Sequence, residues 1–449
     1  MSKLNVFYKN LSKLLSGTAL AQGISLLALP LIARIYSPIN FSDFAIFSSV
    51  AAMISIVGCL RFEVALTLPR SRKLANCVAS VALAVSILVF IISIIIFQIL
   101  SFVSINFTWL SANLMALFYV PVGILGFSLL NISHMVLTRE KEFTLLSVSK
   151  VIFTTSTVLA QICFFYSGFS EEGLILGQIF GIYTAVITSI LLSKRTRSYF
   201  SLSAINLKIV AYVFKRYSSY PKYSSLEALA STASTQLPIF LIAIYAIGPE
   251  AGYFMLANRL LNAPLGLFAT SISQIYISSA AEENNNNNLG CFTLSTIKEL
   301  FKLGVGPLIF IGVNSTPLVF LLLGDEWSRS ADIIKWMIPW LTIQFLVFPV
   351  TMCFHVTKNH KLALKIQFIN FIIRITSVLL TAFFTAKYIV ELYAISGFLV
   401  YLFTFYYVCK VCLIQFSDIA FIAQKNFIWL VSWVSLSMLV YSISRYLLV

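Results

Sequence analysis

The sequence predicts an all-α polytopic membrane protein: two pseudo-symmetric six-helix bundles around a central cavity, with an extra helix at the C-terminal end. Three observations carry that expectation. Of 449 residues, 59% are hydrophobic and only 10% charged, and the mean hydropathy is +0.93, too apolar for a soluble core wrapped in polar surface. The apolar residues gather in runs of roughly 20, the length of a helix crossing a ~30 Å hydrocarbon layer, whereas barrel strands would alternate over about ten. The third observation is that the first half of the chain is echoed in the second.

Spans are expected at 14–35, 43–67, 75–100, 112–137, 144–166, 174–193, 224–247, 252–277, 299–323, 333–356, 362–385, 389–411 and 427–446. Lys3, Lys9 and Lys13 precede a first span that runs directly into a second, so it is read as retained and not as a cleavable signal. With the N-terminus placed in the cytoplasm, the inner segments hold 22 of the 31 Lys and Arg, and the outer loops hold only Arg329 and Lys387. That asymmetry sets the orientation. The net charge of +15 is therefore mostly an orientation signal, and without a basic patch on a soluble domain no nucleic-acid partner is expected. The outer loops lean acidic through Glu171, Glu172, Glu250, Asp325, Glu326 and Asp332.

The longest inner connection, Lys194–Lys222, has an apolar-basic pattern around Ile205–Tyr217 that predicts a helix lying at the membrane interface. It divides the chain into an N-terminal lobe (1–193), a cytoplasmic linker (194–223), a C-terminal lobe (224–412) and a tail with one further span (413–449). The internal echo supports that division. LPLIARIY at Leu29–Tyr36 returns as LPIFLIAIY at Leu237–Tyr245, each followed by a proline turn at Pro38 or Pro249. HMVLTREK at His134–Lys141 pairs with HVTKNHK at His355–Lys361, each closing the fourth span of its half. Equivalent helices lie six spans apart, so the halves share one orientation, an arrangement found in transporters with a central path between lobes.

Seven scattered cysteines form no disulfide framework, and the C-x-x-C of Cys409 and Cys412 lacks a second pair or a nearby histidine to complete a zinc site. No metal or other cofactor is expected. Enzymatic readings find little to stand on: His134, His355 and His360 lie near span ends with no acid at catalytic spacing, and no nucleophile elbow, P-loop or H-E-x-x-H is present.

The chemistry is carried by ionisable residues within the spans, which face a cavity or a partner because burying charge in hydrocarbon is costly. They are Arg34, Arg61, Glu63, Glu227, Arg259 and Arg374. At ~1.5 Å per residue, Arg374 lies about 14 Å from Lys365, Arg61 about 12 Å from Pro69 and Arg259 about 10 Å from Gly252. Arg34 stands at the outer end of its span, where snorkelling to the interface is the plainer role. On a helix Arg61 and Glu63 are about 200° apart and are not expected to pair with each other. Glu227 is expected to neutralise an arginine of the other half, with a structural salt bridge as the alternative role for both glutamates.

Polar stripes extend the site. Gln367, Asn370, Arg374, Ser377 and Thr381 share one helix face, as do Glu227, Ser231, Ser234 and Pro238, and Asn258, Arg259 and Asn262 cluster on the eighth span. Ser, Thr or Asn alone would be packing groups, but a stripe containing arginine predicts a solvated cationic cavity. Arginine grips phosphate or carboxylate through paired N–H groups and stays charged. The candidate substrate-binding set is Arg61, Arg259, Arg374, Arg34, Asn258 and Asn370, with Glu63 and Glu227 as charge-pairing or gating residues.

The opening GTALAQ, the L-P-L-x-x-R-x-Y-S-P-x-x-F turn at Leu29–Phe41, the L-R-F-E-x-A-L-x-L-P stretch at Leu60–Pro69 and the L-L-G-D-E-W before the tenth span resemble the oligosaccharide flippases of the polysaccharide-biosynthesis type, in the MOP (multidrug/oligosaccharidyl-lipid/polysaccharide) superfamily. The resemblance runs to about residue 412. It implies a non-enzymatic flippase of the bacterial inner membrane. The implied cargo is an undecaprenyl-pyrophosphate-linked oligosaccharide repeat unit for O-antigen or another surface polysaccharide, moved by alternating access of the two lobes. It further implies contact with membrane lipid, polysaccharide polymerase and chain-length proteins as partners, and coupling to a proton or sodium gradient. The competing readings are a cation-coupled multidrug exporter of the same superfamily, against which the lack of a deep acidic cluster counts, and a membrane polysaccharide polymerase or ligase, for which the outer loops are too brief.

Overall fold

The computed structural model describes residues 3–103, 114–200 and 207–448. All regular structure among them is helical. Among the described residues eleven helices are long and apolar enough to cross a membrane, or twelve if the bent pair over Leu289–Leu323 counts as one span. The expected span 252–277 lies within a 36-residue helix, Glu250–Asn285. That helix is not among these crossings; the other expected spans fall mainly on helix, the second being interrupted after Ser55, and residues 112 and 113 of the fourth lie outside the described residues.

The chain packs as two compact units, Met1–Ile244 and Tyr245–Val449. In the first, α1 (Lys3–Ile35) is followed by α2 (Pro38–Ser55), the single turn α3 (Phe62–Ala65), α4 (Arg72–Val103), α5 (Leu114–Phe118), α6 (Val120–Arg139), α7 (Phe143–Tyr166) and α8 (Gly173–Leu192). Short helices α9 (Lys194–Tyr199) and α10 (Leu207–Arg216) lead into α11 (Ser225–Tyr245). The S-P turn is built from local chemistry. Ser37 accepts from the Asn40 backbone N–H and Asn40 Oδ1 accepts from the Ser37 N–H at 2.9 Å, a reciprocal cap with Pro38 in the first helical turn. Buried Tyr36 donates its hydroxyl to the Gln161 carbonyl at 2.7 Å, tying this turn to α7. Gly173, Gly177 and Gly181 recur every four residues along α8, and a Cβ at Gly177 or Gly181 would overlap Gln161 or Thr157, so bare backbone lets α7 and α8 close.

The second expected span departs from a single helix. α2 stops at Ser55, and Leu60 and Arg61 both take left-handed backbone, φ 48° and 61°. The helical angle used to separate Arg61 from Glu63 therefore does not apply, and their side chains stand 3.6 Å apart as an ion pair. The expectation that they could not pair is corrected by this break.

The second unit comprises α12 (Glu250–Asn285), α13 (Leu289–Leu300), α14 (Gly306–Val313), α15 (Ser315–Leu323), α16 (Ser328–Val347), α17 (Cys353–Val356), α18 (His360–Phe384), α19 (Ile389–Val411), α20 (Phe416–Lys425) and α21 (Phe427–Leu448). The ninth expected span bends by 72° at Asn314, three residues before Pro317. There the buried Asn314 amide donates to the carbonyls of Phe310 (3.1 Å) and Ser437 (3.2 Å), the latter on α21. The last span is thus docked on this unit, with Trp433 against Gly306, where a Cβ would lie 2.5 Å from its indole nitrogen.

The echoed sequences adopt matching geometry. Pro30 and Pro238 lie inside α1 and α11, each ending just before the next proline turn. Lys141 and Lys358 both have φ 59°, with Glu142 and Asn359 donating to the carbonyls of Leu137 and Phe354. The structural match falls on these lysines, which shifts the pairing of the second echo by four residues from the histidine alignment.

Candidate functional site

Within the second unit the deepest-lying predicted arginine is held by aromatic faces. The Arg374 guanidinium carbon lies 4.4 Å from the Trp340 ring centroid, 5.0 Å from Tyr393 and 6.0 Å from Tyr401. Nη1 donates to the Tyr393 hydroxyl at 2.8 Å. Nη2 and Trp340 Nε1 are buried and make no hydrogen bond among the described residues. A Cβ at Gly397 would stand 2.9 Å from Nη2 and 2.8 Å from the Trp340 ring, so this glycine opens the space the cage occupies. Cation–π contact stabilises the charge without cancelling it. No carboxylate lies within ion-pair distance among the described residues, so the guanidinium keeps N–H groups that suit an oxyanion.

The polar stripe around Arg374 is mostly a helix–helix seam. Asn370 meets Thr404 at 3.4 Å, Arg374 meets Tyr393, and Ser377 meets Ser396 at 3.1 Å, three rungs joining α18 to α19. These rungs fit the packing role of small polar groups better than an open cavity wall. A separate cavity of about 100 Å³ lies between α12 and α16, lined by Asn262, Gly266, Gln344 and apolar neighbours. Gln344 Oε1 is buried there without a hydrogen bond, and Asn262 bonds to Asn258 within α12. Arg259 follows Asn258 on this helix.

In the first unit Glu63 is 3% exposed and pairs with Arg61, while Glu63 Oε2 and Arg61 Nε remain buried without hydrogen bonds. Arg34 is exposed in the last turn of α1, where a cation complements the carbonyl end of the helix. Glu227 is exposed on α11 and forms no ion pair among the described residues. Each unit therefore holds part of the predicted set: Arg34, Arg61, Glu63 and Glu227 in one, Asn258, Arg259, Asn370 and Arg374 in the other.

Other polar groups make contacts that the sequence does not display. Arg139, at the end of α6, donates to the carbonyls of Leu66 (2.8 Å) and Pro69 (2.7 Å) and to the Tyr199 hydroxyl (3.3 Å). Tyr199 donates to Glu140 at 2.7 Å, and Arg195 lies 3.5 Å from the same carboxylate. Burial, reinforced by the Glu140 carboxylate, raises the Tyr199 phenol above its usual range and keeps it a donor. Lys150, eight residues into α7, bonds to Thr18 of α1 at 3.0 Å. Its place inside an expected span was a signal available in the sequence. Three buried cysteines, Cys353, Cys409 and Cys412, share one apolar cluster, and no group able to hold a metal occurs among the described residues.

The profile of a family described as polysaccharide biosynthesis protein matches residues 31–332. No curated protein matches the sequence. Among solved structures, the lipid II flippase MurJ in an inward closed conformation is 16% identical, with a TM-score of 0.67 and coverage of 96% of this chain and 97% of that one. An inward-facing multidrug resistance MATE family transporter of the MOP superfamily is 15% identical, with a TM-score of 0.59 and coverage of 90% and 95%. A MOP superfamily transporter from Pyrococcus furiosus, described as having a binding pocket of reverse polarity, is 14% identical, with a TM-score of 0.52 and coverage of 90% and 95%. At these identities the likeness shows the fold alone, one shared with these flippase and transporter structures.

Proposed function

The chain belongs to the polysaccharide biosynthesis protein family, and we propose that it is a flippase for a lipid-linked oligosaccharide. The cargo in this reading is a repeat unit on undecaprenyl pyrophosphate, carried from the inner to the outer leaflet of the bacterial inner membrane for O-antigen or a similar surface polysaccharide. The N-terminus lies in the cytoplasm, and the chain makes and breaks no covalent bond. Polymerase and chain-length proteins act on the product, and a proton or sodium gradient supplies the driving force.

The observation that carries the reading is Arg374. Its guanidinium is held by three aromatic rings, opposed by no carboxylate among the described residues and left with a buried, unbonded Nη2. Such a group suits a pyrophosphate, whose oxygens accept paired charge-assisted bonds, and it does not suit a drug cation. Arg61, Arg259, Arg34, Asn258 and Asn370 remain in the proposed contact set, with Glu63 holding Arg61 until cargo competes for it.

The test is surface polysaccharide export in a deletion strain complemented at matched protein levels. Arg374→Ala is expected to lower export at least tenfold, and Arg374→Lys to recover only part of it, because an ammonium lacks the planar fork. Lipid-linked single repeat units should accumulate on the inner leaflet. Normal export by both variants would remove Arg374 from the mechanism, and accumulation on the outer leaflet would assign the chain to polymerisation instead.

A further inference from the structure

From Ser193, just after α8, to Lys222, in the first turn of the span that begins at Tyr220, the chain carries seven Lys and Arg and no Asp or Glu. Because both flanking helices qualify as spans, this segment is tethered at a membrane surface at each end. Its helix α10 is two-faced. Val213 and Tyr217 are buried in the core that includes α4, Ile209, Val210 and Phe214 pack against it, and the Phe214 ring meets Phe62 edge-on at 4.8 Å. The apolar face is therefore used on protein and not on lipid, as an interfacial helix would use it.

The opposite face carries Lys208, Tyr212, Lys215 and Arg216, all exposed and spaced by four, three and one residues, which places them together on a helix. Tyr212 is 49% exposed and lies under the Arg216 guanidinium at 5.9 Å. Lys194, Arg197 and Lys222 are exposed in the same acid-free segment.

We propose that the Lys208–Tyr212–Lys215–Arg216 face of α10 is a docking surface for anionic phospholipid headgroups of the adjoining leaflet. Charge complementarity selects this occupant: a cation cluster beside a membrane attracts acidic lipid, and a tyrosine among the cations suits the headgroup layer. Packing of the other face on the α4 core fixes which side is presented.

The test uses the full chain in detergent micelles doped with photoactivatable phosphatidylglycerol or phosphatidylcholine, with crosslinked residues mapped by mass spectrometry. Phosphatidylglycerol should label residues 207–222 at least tenfold over phosphatidylcholine, and the preference should shrink as salt rises. Each cation is worth about fivefold near an anionic surface. Lys208→Gln/Lys215→Gln/Arg216→Gln should therefore lose at least tenfold of the preference, while Lys208→Arg/Lys215→Arg keeps it. Equal labelling of the wild-type segment by the two lipids would overturn the proposal even if the triple variant failed to fold. So would an unchanged preference in a folded triple variant, or protection of the segment by a co-purifying protein in place of lipid.

Discussion

Arg374 shows how a single charge is accommodated in an apolar segment without a counter-charge. Three ring faces and one hydroxyl hold the guanidinium, and the contact geometry depends on a residue with no side chain, Gly397. Gly397→Ala would press a methyl group against the rigid Trp340 ring as well as the movable Nη2, so repacking should cost about 1–3 kcal/mol. The measurement is thermal unfolding of the purified protein; a variant as stable as the parent would show that the cage yields freely. Arg374 was legible in the sequence because a charge inside an apolar run stands out. Its cage was not, since aromatic residues make up 14% of the chain and nothing in their spacing marks Trp340, Tyr393 and Tyr401 as neighbours. Arg61 and Glu63 illustrate the opposite error, where a correct helical rule was applied to residues that are not continuous helix.

At the scale of elements, the long apolar runs announced the helices, while their interruptions depended on contacts the sequence does not display. The stripe on α18 had helical spacing, yet spacing alone does not tell water from a neighbouring helix, and its rungs meet α19. The segment after α2 offers a sharper case. Its carbonyls at Leu66 and Pro69 have lost helical partners and are taken up by Arg139, read in the sequence only as positive charge at a span end. Arg139→Ala removes both donors and the contact to Tyr199, and should destabilise the protein by about 1–3 kcal/mol. Arg139→Lys places one ammonium where a fork bridged two acceptors and should fall between. Both are read by thermal unfolding in detergent, and equal stability of all three forms would exclude the clasp. Tyr199→Phe keeps the ring beneath Arg72, 5.7 Å away, and loses only the hydroxyl's bonds to Glu140 and Arg139, so its smaller cost separates packing from hydrogen bonding.

Across the whole molecule, the long apolar runs specified a many-span helical chain, and the echoed segments end alike, with φ 59° at both Lys141 and Lys358. Long-range ion pairs were the unread part, because their partners are far apart in sequence and lie in outer loops or at span ends. In the second unit Arg329 bonds to Glu250 through Nε at 2.8 Å and also reaches Glu391, joining the starts of α12, α16 and α19. The cluster is partly buried, with side-chain exposures of 28% for the arginine, 14% for Glu250 and 8% for Glu391. Removing the cation alone leaves two carboxylates facing each other in a poorly hydrated site. Replacing the whole cluster by neutral groups removes both the attraction and the desolvation it offset. Arg329→Met should therefore destabilise by about 1–3 kcal/mol, discounted from a fully buried pair for its solvent exposure. Arg329→Met/Glu250→Gln/Glu391→Gln should recover most of that loss. Thermal unfolding of the three proteins at one pH and salt decides the matter. If the triple variant is no more stable than Arg329→Met, stranded carboxylates are not the source of the loss. If it stays well below the parent, attraction within the cluster outweighs the desolvation it offset, and the three helix starts are held together by it.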